Sequence, residues 1–95
     1  MAIPNIKELV KDPAWQKVRK SLLGQWAKRP EWCCAQLRAY LGSISSAPNR
    51  KIKIVMNYLT GTAFRTGRIK HECVTKLRTQ LSSEIKARKA KGDWD

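Results

Sequence analysis

Ile69, Cys73, Leu77, Leu81 and Ile85 recur at every fourth position, with Val74 beside the row. That period lays one apolar stripe along a helix, predicted over residues 68–89, and it cannot fit the two-residue alternation of a strand. A stripe that long must be covered by other elements. Lys51-Ile52-Lys53-Ile54-Val55 alternates like a strand, but no second strand is available to pair with it. Ile52, Val55, Met56, Leu59 and Ala63 give a longer helical match, so a helix is predicted over residues 49–65, with Gly61 able to kink it.

The remaining elements read as helices too. Asn5 followed by Glu8 resembles a capping box and opens a short first helix that Asp12-Pro13 stops. Asp12 caps the next helix, with Pro13 in the first turn, where its missing N–H is harmless. Trp15, Val18, Leu22 and Trp26 share one stripe of it. Lys17, Lys20 and Lys28 form its basic back, and Gly24 marks either close packing or an early end. A third helix runs over residues 31–41, opened by Pro30 and closed by Gly42, with Cys33, Cys34, Leu37 and Leu41 as its stripe and Trp32 and Tyr40 at the edges. Residues 42–49 are loop, too short for a domain linker. Residues 90–95 read as a frayed polar tail, Trp94 apart. The expected fold is all-α, a compact single-domain bundle of four to five helices covering the 95 residues.

Charge narrows the function. Twenty Lys and Arg against seven Asp and Glu leave a formal net charge of +13. Such an excess repels itself on a small surface and is relieved by a polyanion, most commonly a nucleic-acid backbone. The alternatives are a solvated basic surface or an acidic protein partner and, last, an anionic membrane surface. No apolar run approaches the ~20 residues that span a bilayer, so no membrane partner is expected. The first residues lack the basic-then-apolar order of a secretory signal, and the expected location is cytoplasmic. Three cysteines, two of them adjacent, argue against a disulfide framework and for reduced thiols.

Catalysis is not expected. There is one His, no obvious pair of carboxylates and no phosphate-cradling glycine loop. Cys33 or Cys73 with His71 could form a thiol–imidazole pair, but the cysteines fall on apolar stripes, where cysteine acts as a small hydrophobe. A metal is not expected either. Cys33-Cys34 is a poor version of the zinc spacing. On a helix residues 71 and 73 would point about 200° apart. No cofactor is anticipated.

Two basic groups remain as candidates for binding. Arg65, Arg68, Lys70 and His71 bracket Thr66-Gly67, where the first turn of the last helix would offer free N–H groups to a phosphate. An ordinary capped turn with solvated arginines is the competing reading. Arg78, Ser82, Lys86 and Lys89 share the polar side of the last helix, with Lys91 beyond, and suit phosphate contact along a groove as well as plain solvation. A helix-turn-helix alignment on Gly67 puts Ala63 and Cys73 at fitting positions. Thr62 and Lys76 stand where apolar residues belong, and Leu77 is one residue out of register. The expectation is a non-catalytic protein that contacts nucleic-acid phosphates through Arg65, Arg68, Lys70, His71, Arg78, Lys86 and Lys89. DNA is slightly favoured over RNA. The alternatives are an adaptor or inhibitor that docks on an acidic or nucleic-acid-handling protein, or a ribonucleoprotein component. The reading requires the surplus cations to gather on one flank.

Overall fold

The computed structural model describes residues 6–94. They form six helices: α1 (Ile6–Leu9), α2 (Pro13–Leu22), α3 (Pro30–Leu41), α4 (Asn49–Leu59), α5 (Thr62–Arg65) and α6 (Glu72–Lys91). No strand occurs among the described residues, and the all-α fold is as expected. Asn5, the predicted first cap, lies outside the described residues.

The start of α2 follows from its sequence. Asp12 accepts the Ala14 N–H at 3.3 Å, and Pro13 occupies the first helical position. The other Asp12 oxygen accepts the Tyr40 hydroxyl at 2.8 Å, so the cap also ties α2 to α3. At its far end α2 stops sooner than the Trp15–Trp26 stripe predicts. Gly24 has φ +71°, a left-handed conformation open to glycine at no steric cost, and the chain turns away after Leu22. Trp26 is still buried, but it comes from the turns after α2, as Lys28 does.

The predicted helix over 49–65 is two helices. The Thr60 hydroxyl donates to the carbonyls of Met56 and Asn57, and Gly61 is extended, so α4 ends and the short α5 restarts. The last helix begins four residues later than predicted. Gly67 has φ +82°, and the Ile69 N–H bonds the Ala63 carbonyl at 3.0 Å, which holds the chain in a turn until His71. At the other end α6 continues to Lys91. Gly92 closes it in the left-handed conformation, and the Asp93 N–H bonds the Arg88 carbonyl. The expected frayed tail is therefore folded through Trp94, whose ring lies 4.8 Å from Lys53 Nζ.

Helix α3 is central, packing on α2, α4 and α6, while α4 also contacts α1 and α6. The core comprises Leu37 and Leu41 of α3, Ile52, Val55 and Leu59 of α4, and Val74, Leu77 and Leu81 of α6. A chain of rings crosses it. Tyr40 meets Trp15, Trp15 meets Tyr58, and Tyr58 and Trp26 both meet Phe64, with centroids 5.2–5.4 Å apart. Trp26 Nε1 donates to the Tyr58 hydroxyl at 2.8 Å, which satisfies both polar ends. Leu77 is completely buried at the α6 seam. Leu77→Ala should cost about 2–5 kcal/mol of stability with little change in the urea m-value, as measured by equilibrium unfolding.

Candidate nucleic-acid interface

The later start of α6 changes what the basic turn can do. Thr66, Gly67 and Arg68 do not cap the helix. His71 does, in extended backbone, with its Nδ1 accepting the Cys73 N–H at 3.1 Å. The predicted phosphate seat on the first-turn amides therefore does not form as drawn. Nor does the helix-turn-helix: α5 is a single turn, and six residues separate it from α6.

The structure instead arranges the basic side chains along a trough. One cleft, of about 510 Å³, lies between the turns after α2 and the turn before α6, with Trp26, Pro30, Arg68, Lys70 and His71 in its walls. A second, about 270 Å³, shares Ile69, Lys70 and His71 with the first and adds Phe64, Arg65 and Arg78. A third, about 450 Å³, shares Thr75 and Arg78 with the second and continues between α4 and α6 to Lys86. Six of the seven predicted residues thus line three clefts with common walls. Lys89 lies one helical turn beyond Lys86, on the same side of α6 by its spacing.

Charge along this trough has one sign. None of its lining residues is an Asp or Glu. Ion pairs form elsewhere, Lys11 with Glu8 and Arg88 with Glu84. Among the described residues, no carboxylate comes within ion-pair distance of Arg65, Arg68, Lys70, Arg78 or Lys86. Hydroxyls stand between the cations: Thr60 at the cap that ends α4, and Thr75, Thr79, Ser82 and Ser83 on α6. Of these, Ser82 is marked in the sequence, on the polar side of the last helix. Thr75, Thr79 and Ser83 follow from helical spacing along α6; Thr60 lies outside that helix and has no such signal.

Other cations have structural tasks. Arg88 donates to Glu84 at 2.9 Å, to Asn49 Oδ1 at 2.6 Å and to the carbonyls of Ile44 and Ser45, fastening the 42–48 loop to α6. Arg29 stacks on Trp32 at 4.2 Å, and Lys51 lies over the Tyr40 ring while donating to its carbonyl. Lys17 and Lys20 are exposed on α2, which does not contribute to the trough walls.

Near the trough the three cysteines are free thiols. Burial pushes the Cys33 and Cys34 thiols up, and the hydrogen bond from Cys34 to Cys73 adds to the shift of Cys34. The expected divergence of residues 71 and 73 does not hold, because His71 lies off the helix: its Nδ1 is 3.0 Å from Cys73 Sγ. Even so, no group of three His, Cys, Asp or Glu among the described residues is arranged to hold a metal ion. No described helix is long and apolar enough to cross a membrane.

A scan against protein-family models found no match, and neither curated proteins nor solved structures matched this chain.

The division between structural and free cations has a direct consequence. Arg88→Ala should destabilise the fold by about 2–3 kcal/mol, since it strips a charged donor from three elements. Arg78→Ala should stay within about 0.5 kcal/mol of wild type. Parallel urea titrations of the two variants distinguish them.

Proposed function

We propose that the protein is a non-catalytic nucleic-acid-binding module that neutralises backbone phosphates along the α5–α6 trough. The observation that carries this reading is the run of three joined clefts lined by cations and hydroxyls with no carboxylate. Arg65, Arg68, Lys70, Arg78 and Lys86 supply charge, and the α6 hydroxyls of Thr75, Thr79, Ser82 and Ser83 supply further donors to phosphate oxygens.

Extent favours a polymer over a single anion. From Arg78 to Lys86 the helix rises roughly 12 Å, and the turn carrying Arg68 and Lys70 extends the row beyond the α6 start. A row of that length tracks a sugar–phosphate backbone. Arg65, Arg68 and Arg78 can grip phosphate with a bidentate fork, whereas the lysines act as point charges. The trough has few groups suited to reading base edges, so the expected binding depends weakly on sequence. Duplex DNA is the favoured form, since an α-helical surface suits its open grooves better than those of A-form RNA.

The test is a salt titration of binding to mixed-sequence duplex DNA, with duplex RNA in parallel. Five or six phosphate contacts give a log–log slope of about −5, or a roughly 10³-fold loss of affinity between ~50 and ~200 mM salt. Arg65→Ala combined with Arg68→Ala should reduce the slope by about 2 without changing the thermal midpoint. A flat slope would overturn the reading and point to an acidic protein as the partner; an unchanged slope in the double variant would overturn the trough as the site and place the phosphate contacts elsewhere on the surface. Tighter binding to RNA would reassign the polymer.

A further inference from the structure

Cys34 Sγ and Cys73 Sγ lie 2.7 Å apart, although 39 positions separate them in the chain. Cys34 is buried on α3, and Cys73 is half-buried in the first turn of α6. That separation exceeds a disulfide bond of ~2.05 Å by roughly 0.7 Å, so closure needs only a small movement. Cys73 Sγ also lies 3.0 Å from His71 Nδ1 and 3.5 Å from the Pro30 carbonyl.

The protons can be placed. Nδ1 of His71 accepts the Cys73 N–H, so the neutral ring carries its own proton on Nε2. The same lone pair faces Cys73 Sγ at 3.0 Å, so Nδ1 takes the thiol proton by giving up the Cys73 N–H. The Cys34 thiol donates to Cys73 Sγ, and the Cys73 thiol proton has two acceptors in reach, the Pro30 carbonyl at 3.5 Å and, nearer, His71 Nδ1. Cys73 itself is only half-buried, and its two neighbours Pro30 and His71 also wall the 510 Å³ cleft.

We infer that Cys73, Cys34 and His71 form a dithiol site oxidised by hydroperoxides, with Cys73 attacking, Cys34 resolving and His71 accepting the first proton. In the first step the Cys73 thiol proton passes to His71 Nδ1, and the sulfur attacks one peroxide oxygen. The S–O bond forms as O–O breaks, and the departing hydroxide takes the proton back from His71 as water. In the second step Cys34 sulfur attacks Cys73 sulfur. The S–S bond forms, S–O breaks, and the hydroxyl leaves with the Cys34 proton as a second water. Two thiols lose two electrons and hydrogen peroxide gains them. A dithiol reductant reverses the bond by exchange. Burial pushes the Cys34 thiol up and slows its attack on solutes, so the 2.7 Å contact is what makes the Cys73 sulfur its reaction partner. The site does not rest on the nucleic-acid reading.

The experiment treats the whole chain with stoichiometric hydrogen peroxide and follows intact mass, free thiols and peptide maps. The expected product has lost two hydrogens, carries a Cys34–Cys73 crosslinked peptide and reverts with dithiothreitol. Its thermal midpoint should rise by on the order of 10 °C, because the bond closes a long loop. Cys34→Ala should stop at a sulfenic acid on Cys73 that dimedone captures, and Cys33→Ala should crosslink as wild type does. His71→Asn keeps a capping side chain and should slow crosslinking about ten-fold or more. Three results would overturn the site: a crosslink through Cys33, Cys73 oxidising no faster than free cysteine, or intermolecular dimers as the only product. An unchanged rate in His71→Asn would remove His71 from the mechanism. The wild-type mass and peptide map decide the pairing even if a variant fails to fold.

Discussion

The ring chain Tyr40–Trp15–Tyr58–Phe64, with Trp26 bonded to Tyr58, is the contact on which the rest of the fold depends. Its members come from α2, the turns after it, α3, α4 and α5. Rings of this size bury large apolar areas while their edges and faces interlock in fixed orientations. The two hydroxyls and the Trp26 indole N–H within it have polar partners: Tyr40 donates to Asp12, and Trp26 to Tyr58. Burial raises the titration range of both tyrosines, Tyr40 further because it donates to Asp12, so both stay neutral donors and acceptors. Short helices such as α1 and α5 have too few internal hydrogen bonds to persist alone; packing holds α5 through Phe64.

Against that core, α6 serves as a straight rail with two different sides. Val74, Leu77 and Leu81 seal the inner side, and Arg88 fastens its last turns to the 42–48 loop. The outer side carries Arg78 and Lys86, which have no carboxylate partner among the described residues. A rigid backbone beneath free cations lowers the ordering cost of meeting an extended polyanion, because only side-chain rotamers remain to be fixed. Residues of identical charge thus have opposite tasks two to ten positions apart on one helix.

The 66–71 turn is where the basic trough and the thiol pair meet. Lys70 and His71 stand in the walls of two clefts, and His71 also caps α6 and faces Cys73. Gly67 and the Ile69–Ala63 backbone bond fix the path of this turn. A movement of His71 would therefore be felt by the helix cap, the cleft wall and the thiol together.

The sequence by itself determined the helical class, most helix starts and the inner faces. Periodicity and the caps Asp12–Pro13, Pro30 and Gly42 are local properties, set by backbone sterics and by which face must leave water. It also marked the cations that line the trough, since surplus charge is plain in composition and α6 spacing puts Arg78 and Lys86 on one side. Only the tertiary structure decided where continuous patterns break. Trp26 continues the stripe of α2 and Ala63 that of α4, yet Gly24 and the Thr60–Gly61 step end both helices: Trp26 is buried from the turns after α2, and Ala63 sits half-buried on α5. It alone separated Arg88 from Arg78, brought Thr60, just past α4, beside the α6 hydroxyls, and set Cys34 against Cys73. Those pairings join residues far apart in the chain, and no local spacing encodes them; they exist because the packing of α3 and α4 on α6 fills the core in one arrangement.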